Sequence, residues 1–74
     1  MKITIKLFAT LRTNRFKAET REYQKKVTIN QVAEDLMIPR EEMALILVNG
    51  HTAPLDFELK NGDTLSIFPP VGGG

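Results

Sequence analysis

The 74 residues suffice for one small domain, and a hydrophobic content of 42% supports a single core but no deep, enclosed cavity. With no cysteine and His51 as the sole imidazole, thiol nucleophiles, disulfides and thiolate or multi-histidine metal sites are excluded. The net charge is only +1, Met1-Lys2 leads straight into an alternating pattern, and no apolar run nears the roughly 20 residues that cross a bilayer, so a soluble cytoplasmic protein without a membrane partner is expected.

Lys2-Ile3-Thr4-Ile5-Lys6-Leu7 alternates strictly, which predicts a strand with Ile3, Ile5 and Leu7 on its buried face. Phe8 to Arg12 breaks the alternation and Thr13-Asn14-Arg15 reads as a turn. Residues 20–27 predict a second, weakly buried strand, antiparallel to the first, with Tyr23, Lys25 and Val27 on one side. Thr28-Ile29-Asn30-Gln31 fits a capping box and starts a helix whose apolar stripe is Ile29, Val32, Ala33, Leu36 and Met37, while Gln31, Glu34 and Asp35 face water. Pro39 ends it by Ile38.

Ala44-Leu45-Ile46-Leu47-Val48 is the most apolar run and predicts a central strand covered on both faces. Asn49-Gly50 turns the chain into a short return through His51-Thr52, which Pro54 limits. Leu55, Phe57 and Leu59 alternate in a half-buried segment, and Asn61-Gly62 is a second turn. Residues 64–68 form the last strand, with Leu65 and Ile67 on one face and Thr64, Ser66 and Phe68 on the other. Pro69-Pro70 then takes the chain out of the sheet. One helix over a sheet of four to five strands is an α+β fold in a single domain, residues 1–74, with 69–74 as an extended, flexible tail.

Catalytic chemistry is scarce. Glu34-Asp35, Glu41-Glu42 and Asp56 with Glu58 read as solvated charges, His51 as a turn residue, and Gly50 and Gly62 as turn glycines outside any phosphate-binding loop. Residues 1–26 carry eight bases against two acids, and residues 27–74 carry two bases against seven acids. Scattered bases without an aromatic cluster give no nucleic-acid signature. The asymmetry reads either as a dipolar solvated surface or as an acidic face near the C-terminus that steers docking onto a basic partner. What remains is the tail: Gly72, Gly73 and Gly74 carry no side chain, and the six residues from Pro69 can reach about 20 Å, enough to enter a narrow channel in another protein. A carrier or tag is expected rather than an enzyme.

Leu7-Phe8-Ala9-Thr10-Leu11-Arg12, Val48-Asn49-Gly50, Asn61-Gly62-Asp63 and Ile67-Phe68-Pro69-Pro70-Val71-Gly72-Gly73-Gly74 resemble the ubiquitin-like β-grasp sulfur carriers. The resemblance spans nearly the whole chain. It is closest to the small subunit of molybdopterin synthase and extends to the thiamin-pathway carrier. It implies that an E1-like enzyme uses ATP to adenylate the Gly74 carboxylate and that a sulfur donor converts it to a thiocarboxylate, with no cofactor bound by the chain itself. Gly74 then holds the reactive group, Gly73, Gly72 and Val71 thread the tail, and Phe68, Pro69 and Pro70 meet the partner. The partners implied are the E1-like enzyme and the larger molybdopterin synthase subunit, or thiazole synthase in the thiamin alternative; a third outcome is a protein modifier joined to lysines through Gly74. Thr52 stands near a position where some relatives carry an apolar contact residue.

Overall fold

The computed structural model describes residues 1–70. The strict alternation of the first strand appears as β1 (Lys2–Leu7), with Ile3, Ile5 and Leu7 at 0% exposure. β2 (Ala18–Glu22) runs antiparallel to it, followed by α1 (Ile29–Asp35), β3 (Leu45–Val48), β4 (His51–Thr52) and β5 (Thr64–Phe68). The five strands form one sheet in the order β2-β1-β5-β3-β4, in which β1 and β5 pair in parallel and every other neighbour is antiparallel. Ile29, Val32, Ala33 and Leu36 of the helical segment pack with Ile3, Ile5, Leu7, Leu65 and Ile67 in one core. Only one face of the sheet is covered in this way.

Three expectations are corrected. The second strand begins at Ala18 and stops at Glu22 instead of spanning 20–27. Glu22 pairs with Lys2 at the start of β1, and the Tyr23 backbone bonds to Met1, the residue before β1, so the residues beyond have no part of β1 to pair with. The apolar run of β3 is not central: β5 takes the place beside β1, and β3 lies next to the two-residue edge strand β4, with Leu45 42% exposed. Lastly, Met37 leaves the helix stripe and is 81% exposed.

The helix ends explain that last departure. At its start the capping box is complete, with the Gln31 backbone N–H donating to Thr28 Oγ1 at 3.2 Å and the Thr28 N–H donating to Gln31 Oε1 at 2.8 Å. At its end, Met37 N–H donates to the Glu34 carbonyl at 3.0 Å and Ile38 N–H to the Ala33 carbonyl at 2.9 Å. That pair of bonds is a Schellman motif, and it requires a left-handed residue, here Met37 at φ 58. The motif turns the Met37 side chain outward while returning Ile38 to the core. Arg15 adds a clamp: its guanidinium donates to the carbonyls of Leu36 (3.1 Å), Met37 (2.9 Å) and Leu11 (3.2 Å), joining the helix end to the segment after β1.

Residues 55–59 form no strand, but they close the core from the helix side. Ile29 and Asn30 N–H groups donate to the carbonyls of Phe57 and Leu55, and Leu59, 2% exposed, donates to that of Val27. Asn49 (φ 52) and Gly50 (φ 85) form the expected tight turn between β3 and β4. Asn49 also accepts from Thr64 N–H and donates to Asp63, tying this turn to the start of β5. Past β5, Pro69 is half-buried and Pro70 exposed; residues 71–74, the rest of the expected tail, lie outside the described residues.

Two substitutions test these local accounts. A methionine in the left-handed region costs about 1 kcal/mol, and this one packs against little, so Met37→Gly is expected to raise stability by roughly 0.5–1 kcal/mol in urea unfolding; a loss of stability would show that Met37 makes a contact worth more than its strain. The Tyr23 hydroxyl is screened from solvent and has no hydrogen-bond partner among the described residues. Burial, then the Asp35 carboxylate, raises its pKa above the ordinary 10.0. Its neutral form is the one the fold holds, so this contribution is intact below the unfolded pKa and is lost as pH climbs above 10 through the raised folded value. Tyr23→Phe is expected to gain on the order of 1 kcal/mol at pH 7 and to flatten the alkaline decline; an unchanged decline would assign it to other groups.

Candidate functional site

The parallel pairing of β1 with β5 sets Leu7 opposite Ile67, and the next residues along, Phe8 and Phe68, meet on the face of the sheet that the helix leaves bare. Their rings stack with centroids 4.1 Å apart and planes 10° from parallel. Such a pair contributes about 0.5–1.5 kcal/mol beyond its buried area and holds both rings in one orientation. Phe68 is therefore a half-buried residue braced from one side, as its place on the less buried face of the last strand predicts.

After Phe8 the chain turns sharply through Ala9, a non-glycine residue at φ 52, into a 3-10 turn (Ala9–Arg12). The turn sends Leu11 into the core at 0% exposure and folds Arg12 back. Arg12 Nε donates to the Leu7 carbonyl at 2.8 Å, and its guanidinium carbon stands 5.6 Å from the Phe8 ring centroid, within cation–π range. On the other side of β5, register places Leu45 opposite Phe68 and Leu47 opposite Ser66, while Ile46 and Val48 face the core with Ile67 and Leu65. Phe8, Phe68, Leu45 and Leu47 thus form an apolar band at one end of the bare face. Thr52, opposite Leu47 on β4, continues it with a hydroxyl.

The band sits where the chain leaves β5. The Phe68 carbonyl accepts from Ala44 N–H at 2.9 Å, the last bond linking β5 to the chain before β3, and Pro69 follows. Of the residues the sequence singles out, the structure brings Phe68 and Pro69 to this end of the sheet, with Pro70 exposed beyond them; Val71, Gly72, Gly73 and Gly74 lie outside the described residues. Phe8, Arg12, Leu45 and Leu47 complete the site without having been given roles from the sequence. The signal was available for two of them: with one helix, one sheet face must remain bare, and alternation in β3 assigns Leu45 and Leu47 to it.

Glu34, Asp35, Glu41, Glu42, Asp56 and Glu58 are all exposed, as is His51 on β4. No group of three or more metal-ligating side chains is present among the described residues, and no helix of the structure is long and apolar enough to cross a membrane. The charged groups lining the groove beside Phe8 are Lys6, Arg12 and Lys17, a basic rim on this side of the band. What this arrangement offers chemically is a surface for recognition, set at the base of a segment that ends in glycine.

The model of the ThiS family matches residues 5–74. A comparison with curated proteins gives no match. Among solved structures, a Pyrococcus furiosus protein assigned as molybdopterin converting factor subunit 1 superposes with a TM-score of 0.77 at 28% identity, covering 96% of this chain and 99% of that one. SAMP1 from Haloferax volcanii gives a TM-score of 0.76 at 23% identity, with 100% of each chain covered. A chain from the complex of subunits 1 and 2 of the Helicobacter pylori molybdopterin-converting factor gives 0.67 at 21% identity, again over 100% of each. The last two likenesses bear on the fold alone. The chain belongs to the ThiS family, with the ubiquitin-like β-grasp fold of its sulfur carriers.

Proposed function

We propose that the protein carries sulfur as a thiocarboxylate on Gly74 and donates it in molybdopterin biosynthesis. The observation that supports this most is the Phe8–Phe68 stack: a braced apolar pair on a bare sheet face, one residue before the Pro69-Pro70 segment that leads to the glycines. A partner docked there would stand at the root of the tail, so binding and delivery would use the same end of the molecule. The 28% identity to the Pyrococcus furiosus protein supports the molybdopterin branch.

The chemistry follows from what a carboxylate lacks. A carboxylate resists nucleophilic attack, whereas its acyl-adenylate offers AMP as a leaving group. An E1-like partner forms that adenylate from the Gly74 carboxylate and ATP, releasing pyrophosphate. A persulfide donor then attacks the acyl carbon; the carbon–sulfur bond forms as the bond to AMP breaks, and a thiol reduces the acyl disulfide to leave the thiocarboxylate. With no cysteine in the chain, the terminal carboxylate is where transferable sulfur can be held. The larger molybdopterin synthase subunit would receive the tail and consume the sulfur.

Incubation with such an adenylating enzyme, ATP, a persulfide donor and a thiol is expected to give intact protein heavier by one oxygen-for-sulfur exchange in mass spectrometry. Recovery of unmodified acid alone would overturn the proposal. Rescue of a strain lacking the molybdopterin carrier, and not of one lacking the thiamin carrier, would decide between pathways. Phe68→Ala is expected to weaken binding to the partner by about tenfold or more while leaving the circular dichroism spectrum unchanged, since the ring is an aromatic anchor at the centre of the band; wild-type affinity in that variant would place the interface elsewhere.

A further inference from the structure

A groove of about 230 Å³ lies beside the stacked phenylalanines, lined by Lys6, Phe8, Arg12, Lys17 and Ala18. Three of these five residues are cations, and all three are exposed. None forms an ion pair among the described residues, where both ion pairs belong to Arg21. The fold holds them together by separate means. Lys6 lies on the bare face, opposite Ser66 and Ala18; the Lys17 carbonyl accepts from Leu7 N–H at 3.0 Å; and Arg12 is tied to the Leu7 carbonyl.

No acid lines this groove among the described residues. Within β2, Glu19 and Arg21 stand opposite Ile5 and Ile3 and so lie on the core side, where Arg21 pairs with Asp35 of α1. Glu22 is the acid of β2 on the bare side, and it sits opposite Lys2, four residues from Ala18. That is about 13 Å along the strand, beyond the ~8–10 Å over which exposed charges act at physiological salt. The groove therefore presents three cations and no lining acid among the described residues, next to an apolar band.

Resting on the carrier reading above, we infer that Lys6, Arg12 and Lys17 receive carboxylate side chains of the adenylating partner that docks on Phe8 and Phe68, and so set the encounter rate and orientation of that complex. A carboxylate-bearing protein surface fits better than the other occupants of a basic groove. The volume falls below the roughly 300–1,000 Å³ of small-molecule pockets. Nucleic-acid binding is also disfavoured: the two aromatic rings already stack on each other, Arg12 stands over Phe8, and three cations give a short electrostatic footprint. An apolar patch flanked by charge of one sign is the usual form of a steered protein interface.

The test measures adenylation of the full chain by that enzyme, through ATP–pyrophosphate exchange, at low and high salt. The Lys6→Gln/Arg12→Gln/Lys17→Gln variant is expected to raise KM about five- to twentyfold at low salt with kcat unchanged, and the difference is expected to shrink in high salt. Lys6→Gln/Lys17→Gln, which spares the Arg12 bond to Leu7, is expected to show a smaller rise of the same kind. Lys25→Gln/Lys26→Gln, beyond the opposite end of β2, is expected to match wild type. Wild-type KM in the rim variants would overturn the inference while leaving the carrier reading intact, whereas no exchange with the wild-type chain would overturn both. Binding of a twelve-nucleotide oligothymidylate at physiological salt that is lost in the rim variants would assign the groove to phosphate and overturn it as well.

Discussion

The parallel pairing of β1 with β5 is the constraint on which the rest of the structure depends. It brings the first and last strands side by side within the sheet, with Ile5 opposite Leu65 and Leu7 opposite Ile67, all four at 0% exposure. Parallel neighbours require a long crossover, and α1 with the segments around it supplies that connection while covering one face. Because the shared register ends on Leu7 and Ile67, the residues that follow meet on the other face as the Phe8–Phe68 stack. Pairing, core and the stacked rings are one arrangement seen from two sides of the sheet.

This pairing also fixes how the chain must leave β1 and enter α1. The turn at Ala9 buries Leu11 and folds Arg12 over Phe8, at the cost of a positive φ in a residue with a side chain. The Schellman end of the helix imposes a second positive φ at Met37, and Arg15 bridges the two regions by donating to Leu11, Leu36 and Met37 carbonyls. One guanidinium thus ties the left-handed end of the helix to Leu11, in the turn that follows Ala9. The segment that presents Arg12 is anchored to the helix end through the Arg15 side chain, independently of the bare face.

Much of this was legible in the sequence because the informative residues obey local rules. Strict alternation in residues 2–7 gives the buried face of β1, Thr28 and Gln31 give the helix start, and Asn49-Gly50 gives its turn. The order of elements and the family motifs give the β-grasp architecture, and the less buried side of the last strand gives Phe68. The failures are non-local. An apolar run such as residues 44–48 looks the same whether a strand is central or next to an edge, and only the pairing of β5 with β1 decides it. The end of β2 depends on where its partner begins. Met37 fits a helical stripe by spacing, yet the C-terminal motif needs a left-handed residue at that point. The basic rim depends on Lys6, Arg12 and Lys17 converging from three segments, which net charge by halves of the chain cannot reveal.

The central claim is that the partner docks on the helix-free face at the end where Phe8 and Phe68 stack. Hydrogen exchange of the chain with and without its adenylating partner measures this directly. The account predicts slowed exchange in residues 6–12, 44–48 and 64–68 with α1 unaffected, since these segments carry the rings, the leucines and the rim. Slowed exchange confined to α1 and residues 55–59, with the Phe8–Phe68 end unchanged, would contradict it.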